Sequence, residues 1–206
     1  SKYFRGIFDG QGHTISNLLI NSSLLQYVGL FGYLNGAIRN LVLGSSCSVE
    51  GSYSGSSIAY IGGVIGHNSG GSCYGVESIV NMAGVAFTGN VSSDLYLGGI
   101  AGYTSASLNG RAAKNCANYG SVTHSGTADV AYIGGIAGYS DVTSPLMIYI
   151  QNCLNYGTVI HSGTSNNLLA IGGIFGDNSE VVTFEGCVNA GKIVSSRPKG
   201  YIGWLT

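Results

Sequence analysis

The eight residues "YIGGIAGY", Tyr132 to Tyr139, decide how this chain is read. Their uncharged run, broken by three glycines, has neither the 3.6-residue stripe of an amphipathic helix nor the strict alternation of a half-buried strand. The same string returns as "YIGGVIGH" at Tyr60, "YLGGIAGY" at Tyr96, "AIGGIFGD" at Ala170 and, more loosely, "YVGLFGY" at Tyr27. The glycine before the apolar pair falls at Gly29, Gly63, Gly99, Gly135 and Gly173, with Gly203 in the incomplete last copy "YIGWLT". Successive copies are therefore 34, 36, 36, 38 and 30 residues apart. A period of that length is the mark of stacked repeats.

A second signature follows each copy: "SIVNMAGVAF" from Ser78, "NCANYGSVTH" from Asn115, "NCLNYGTVIH" from Asn152 and "GCVNAGKIVS" from Gly186. Between the two signatures the length varies, in "HNSGGSCYGVE", "YTSASLNGRAAK", "YSDVTSPLMIYIQ" and "DNSEVVTFE". These stretches read as loops leaving one corner of the repeat, and such insertions collect on one face, often the binding face. The fixed parts are short β-branched and aromatic runs bounded by Gly and Asn, with no helical stripe between them. The expected fold is all-β, a right-handed parallel β-helix with one coil of about 36 residues per repeat. Two coils of about 18 residues are the rival geometry, which fits only if the length changes bulge outward. Residues 1–206 then form a single repeat domain: an N-terminal coil over 1–26, repeats starting near 27, 60, 96, 132 and 170, and a partial repeat from 201.

In such a stack each residue lies about 4.8 Å from its copy in the next coil. Cys116, Cys153 and Cys187 share a column with Ile79, which describes a small core hydrophobe, with an inter-coil disulfide as the alternative. Asn81, Asn118, Asn155 and Asn189 form a column before the "NYG" or "NAG" turn, where stacked amides bond from coil to coil. Gly63, Gly99, Gly135 and Gly173 form a column where the backbone bends or packs closely. Tyr60, Tyr96 and Tyr132 make one aromatic column; Tyr33, Tyr103 and Tyr139 make another, continued by His67 and Asp177; Tyr119 and Tyr156 make a shorter one. Such rows serve either stacking or recognition. Tyr33, His67, Tyr103, Tyr139 and Asp177 are the candidate binding face, because they open the variable loops. His124 and His161 hold equivalent places, but no third ligand recurs with them to complete a metal site. No cofactor and no metal are expected.

Composition narrows the function. The chain is 45% hydrophobic and 8% charged with a formal net charge of -1, so it has no basic stripe for nucleic acid. Its 14 Tyr and 6 Phe argue against disorder. No run approaches the roughly 18 apolar residues of a membrane helix, so no membrane insertion is expected in this segment. Five cysteines without a C-x-x-C pair suggest neither a complete disulfide framework nor a zinc site. The acidic residues are scattered over different coils, so the paired carboxylates of glycoside hydrolysis are not apparent.

The first residues carry a further motif, "YFRGIFDGQGHTISNLLI", Tyr3 to Ile20, with Ile15, Leu18 and Ile20 available to the core. Followed by "VGLFGYLNGAIRNLVL" and the repeated G-G-[IV]-x-G, it resembles the GLUG-motif repeat proteins and related surface adhesin segments. That resemblance implies a secreted or cell-surface β-helical region of a longer protein, serving adhesion or acting as a stalk, with no catalytic residues to carry over. The expected function is structural and adhesive, with variable loops presented to a host or neighbouring-cell surface protein or glycan, and the chain is not expected to be an enzyme. The alternatives are a carbohydrate-active β-helix enzyme and a self-assembling filament subunit. Further repeats of the same chain, or end-to-end association, would cover the terminal coils.

Overall fold

The computed structural model describes residues 3–69, 76–105, 111–141, 148–178, 182–197 and 200–203. Among them there is no helix, and every strand pairs in parallel with the strand one coil away. The chain visits four sheets in fixed order. Sheet I holds rungs such as Val76–Asn81, sheet II rungs such as Gly84–Phe87, sheet III rungs such as Leu95–Gly98 and sheet IV rungs such as Ala101–Ser105. Pairing of Tyr60 with Tyr96 and of Tyr96 with Tyr132 sets the coil at 36 residues, so each repeat makes one coil and not two.

The interior is divided. One apolar cluster lies between sheets I and IV and contains Ile38, Leu41, Ile65, Ile79, Ile100 and Phe175 together with Cys116 and Cys153. The other lies between sheets II and III and contains Val49, Ile61, Val85, Phe87, Leu97 and Ile133. Asn81, Asn118, Asn155 and Asn189 belong to neither cluster. They stand where sheet I passes into sheet II and face the point where sheet III passes into sheet IV.

Asn81, Asn118 and Asn155 each donate once to the next asparagine and once to their own turn, and Asn189 donates to its own turn. Asn81 Nδ2 reaches Asn118 Oδ1, Asn118 Nδ2 reaches Asn155 Oδ1 and Asn155 Nδ2 reaches Asn189 Oδ1, all at 2.9 Å. The second donation goes to the carbonyls of Ala83, Gly120, Gly157 and Gly191 at 2.9 to 3.2 Å. A buried polar group is tolerable when its bonds are satisfied, and this ladder satisfies them while separating the two cores. The glycine column exists to make room for it. A Cβ on Gly63 would lie 2.9 Å from Asn81 Oδ1, and one on Gly99 would collide with the Asn118 amide and the Gly135 carbonyl.

A bend in sheet I turns the cysteine column inward. Asn40, Ser78, Asn115 and Asn152 adopt φ of 53° to 55°, with Gly186 at 63°, in the left-handed region that Asn and Gly accept most readily. The next residue in each coil, Leu41, Ile79, Cys116, Cys153 or Cys187, then enters the core. Cys47, Cys116, Cys153 and Cys187 are free thiols, and Cys116 and Cys153 are buried. In the N-terminal motif, Ile7–Asp9 and Thr14–Ile15 lie end to end along one rung, both paired with Ala37–Leu43, and "DGQG" is the bend between them.

Candidate functional site

"YIGGIAGY" folds inward between sheets III and IV. Ile133 enters one core while Ile136 and Ala137 enter the other, and Gly134 and Gly138 let the two arms close on each other. A Cβ on either glycine would strike backbone of the opposing arm. The tyrosines that flank the string therefore meet outside, and Tyr132 and Tyr139 have ring centroids 4.8 Å apart.

Repeated in every coil, this closure merges two columns into one strip. Tyr27, Tyr60, Tyr96 and Tyr132 run along sheet III; Tyr33, His67, Tyr103 and Tyr139 run along sheet IV. Tyr33, His67 and Tyr103 stack at 4.5 Å per step, and Tyr27 stacks on Tyr60 at 4.9 Å. Contacts cross between the columns as well, as in Tyr60 with His67 at 4.9 Å and Tyr96 with Tyr139 at 5.1 Å. Tyr3 extends the strip at one end by its contact with Tyr33 at 4.5 Å. Asp177 takes the next place after Tyr139, and Ala170 the next place after Tyr132.

Burial sets the electrostatics. Desolvation, with Tyr27 and Asp94 adding to it, pushes the Tyr60 hydroxyl up to about 12, and desolvation, with Tyr139 and Asp177 adding to it, does the same for Tyr132. Burial also pushes up Tyr96 and Tyr103 and lowers His67 to about 4, so these groups are uncharged at neutral pH. The Asp94 carboxylate accepts the Tyr96 hydroxyl at 3.2 Å. The strip is thus a row of neutral ring edges and hydroxyls with carboxylates beside it.

The structure brings together all five residues of the sequence-predicted face, Tyr33, His67, Tyr103, Tyr139 and Asp177, in sheet IV. It adds the sheet III tyrosines to them, which spacing alone could not do, because residues seven apart in the chain meet only through the inward fold of the glycines. The tips of the variable loops, 70–75, 106–110, 142–147 and 179–181, lie outside the described residues, as does Cys73. Tyr119 and Tyr156 stack separately at 5.0 Å on another edge and are about half exposed. Asp94 takes the Tyr96 hydroxyl, while Asp129 in the next coil accepts Asn167 Nδ2 at 2.8 Å.

His124 and His161 are buried against each other in sheet II, with Nδ1 to Nδ1 at 2.9 Å and each Nε2 without a partner among the described residues. One ring must donate its Nδ1 proton to the other. The acceptor ring then carries its proton on Nε2, so only one Nε2 lone pair is left and the pair cannot jointly ligate a metal there. Burial first, then its neighbour, holds His124 down to about 3, and burial lowers His161 as well. Among the described residues no three His, Cys, Asp or Glu side chains converge on a metal-sized site. No helix among them is long and apolar enough to cross a membrane.

No family model matches this chain, and no curated protein does. Its structure is similar to that of a protein from Bacteroides ovatus provisionally assigned as an immunoglobulin A1 protease, with a TM-score of 0.61 and 25% identity over 95% of this chain. That likeness defines the class: a β-helix repeat protein. The chain spans 58% of the length of the Bacteroides protein. The GLUG resemblance rests on its motifs alone. The expectation that the chain is not an enzyme is overturned by this likeness, since the similar structure belongs to a protein assigned to proteolysis. Scattered acidic residues spoke against glycosidase chemistry, but peptide hydrolysis does not require that pair of carboxylates.

Proposed function

We propose that this chain is the β-solenoid region of a secreted or cell-surface protein, and that its tyrosine strip is the face that binds a partner. The observation that carries this reading is the unbroken run of rings from Tyr3 to Tyr139, partly exposed along its length and flanked by carboxylates. Tyrosine combines a rigid apolar body with a polar tip, the combination that binding faces use. Because the rings cover one another's faces, they offer edges and hydroxyls, which suits a hydrogen-bonding polypeptide better than a sugar ring seeking an open aromatic face. An extracellular location is supported by the likeness to a protein whose assigned target is an immunoglobulin. The test is surface plasmon resonance of the immobilised chain against immunoglobulin A1 and a glycan panel. The double variant Tyr103→Ala/Tyr139→Ala is expected to lose at least tenfold in affinity, while a variant shortened only within 70–75, 106–110, 142–147 and 179–181, which leaves the strip residues in place, reports whether the variable segments contribute. Binding unchanged in the tyrosine variant would sink the proposal.

A second reading is favoured by the structural likeness: the whole protein cleaves an immunoglobulin-type substrate, and this region holds that substrate for hydrolysis. Incubating immunoglobulin A1 with the chain and resolving the products by mass spectrometry tests it directly. Fragments produced equally by wild type and by the tyrosine variant would separate cleavage from the strip.

A further inference from the structure

Beside its tyrosines, sheet III carries a further outward column. Leu95 pairs with Ala59 and with Ala131, so the residues before them, Ile58, Asp94 and Val130, stack in successive coils, and Val130 pairs in turn with Leu168. All four are half-buried, so Asp94 is a carboxylate set in a column that is otherwise aliphatic. Alternation along the strand puts Asp94 on the same side as Tyr96, whose hydroxyl donates to Asp94 Oδ2 at 3.2 Å. The charge reaches rings in three coils. At Tyr96 it is the first cause after burial that pushes the hydroxyl up, and it adds to burial and to neighbouring groups at Tyr60 and Tyr132. On the sheet IV side, Asp177 follows Tyr139 in its column and Asp141 lies two residues along from Tyr139.

An aliphatic column interrupted by one carboxylate, beside a row of tyrosines, is complementary to arginine. The arginine stem can lie along Ile58 and Val130 while its planar cation meets Asp94 and the neighbouring rings. Half-buried apolar neighbours strengthen the Coulomb attraction relative to open water. A carboxylate has about four acceptor sites, and the Tyr96 hydroxyl takes one of those on Asp94. The chain itself seats a guanidinium on the strip: Arg5 Cζ lies 5.6 Å from the ring centroid of Tyr3, which contacts Tyr33. The ion pairs Arg39–Asp9 and Lys114–Glu77 lie apart from the strip, in sheet I. An anionic partner would meet repulsion from Asp94, Asp141 and Asp177.

We infer that Asp94, with Ile58 and Val130 on either side of it, anchors an arginine of a basic polypeptide that lies across the tyrosine strip. The anchor deepens the reading of the strip as a binding face by naming the chemistry of the partner, and it rests on that reading for its biological use. Short fluorescent peptides of repeating Arg-Gly, Lys-Gly or Gln-Gly, titrated with the chain and followed by anisotropy, test it. Arg-Gly is expected to bind at least tenfold more tightly than Gln-Gly, and more tightly than Lys-Gly, whose compact, strongly hydrated charge suits the rings less well. Asp94→Asn keeps an oxygen for the Tyr96 hydroxyl and is expected to remove most of the preference for Arg-Gly. Glu50→Gln, the same loss of charge on sheet II, is expected to leave that preference unchanged. No binding by wild type, equal binding of Arg-Gly and either other peptide, or equal effects of Asp94→Asn and Glu50→Gln would overturn the inference. Immunoglobulin binding lost in the Tyr103/Tyr139 variant, with Arg-Gly binding absent from wild type, would leave the strip standing without the anchor. Arg-Gly binding that depends on Asp94, with immunoglobulin binding unchanged in the tyrosine variant, would support the anchor and remove the strip.

Discussion

Asn118 uses its whole amide: both hydrogens are donated, to Asn155 Oδ1 and the Gly120 carbonyl, and its oxygen accepts from Asn81. Replacing it by leucine, the residue that Leu43 already supplies in this column, leaves a buried donor on Asn81 and buried acceptors on Asn155 and Gly120. Each orphan costs about 1–3 kcal/mol, so Asn118→Leu is expected to lower stability by about 3 kcal/mol or more in urea denaturation; a loss below about 1 kcal/mol would contradict the ladder's role. The histidine pair makes a pH prediction. His124, at about 3 when folded, titrates near 6.5 when unfolded, and His161 is shifted in the same direction, so the unfolded chain binds more protons than the folded one over that interval. Stability is fully present above about pH 6.5 and falls as pH drops toward 3, by at most about 1.4 kcal/mol per pH unit for each histidine. Replacing His124 by phenylalanine, as Phe87 stands in the preceding coil, should flatten the slope of melting temperature against pH; an unchanged slope would show that other groups carry it.

At the scale of the element, the two arms of each glycine string are held by close backbone approach on the inside and by ring stacking on the outside. Gly99→Ala drives a methyl group into the Asn118 amide and the Gly135 carbonyl, whereas a methyl on Gly84 meets nothing nearer than Ser121 Oγ at 3.6 Å. Thermal melts should show Gly99→Ala destabilised by about 2 kcal/mol or more and Gly84→Ala within about 1 kcal/mol of wild type. Outside, Tyr103 touches His67 at 4.5 Å, Tyr96 at 5.7 Å and Tyr139 at 6.1 Å, and Tyr103→Ala is expected to cost about 1–3 kcal/mol, less than a fully buried ring because the strip is half open to water. The sheet IV column was legible from spacing, because Tyr33, His67, Tyr103, Tyr139 and Asp177 keep the coil period. Its union with Tyr60, Tyr96 and Tyr132 was not, because periodicity says which residues stack and nothing about which columns touch. The left-handed column of Asn40, Ser78, Asn115, Asn152 and Gly186 was equally silent, although an asparagine one place before Leu41, Cys116 and Cys153 was its visible sign.

For the whole molecule, stability is a sum over coils and their neighbours. Removing residues 97–132 joins Tyr96 to Ile133 and restores "YIGGIAGY" at the seam, while the asparagine ladder closes from Asn81 to Asn155. The shortened chain is expected to fold with unchanged β-sheet circular dichroism and a urea m-value lower by roughly a sixth, in proportion to the surface removed. Removing only 97–114 breaks the coil halfway and should give no cooperative unfolding transition. If both deletions fold alike, one coil per repeat is not the unit of stability.

The order of strands, the coil length and the membership of each column were determined by the sequence alone, because a parallel stack places every residue on its own copy and the copies are 36 or so residues apart. What only the tertiary structure decided is what lies across the coil. Two cores are separated by a wall of asparagine because the glycines opposite leave space for it, and two tyrosine columns become one strip because the neighbouring glycines, Gly134 and Gly138 in one coil, let the arms close. Contacts along the stack follow from the repeat; contacts across the coil depend on how far each side chain reaches into the space its opposite leaves.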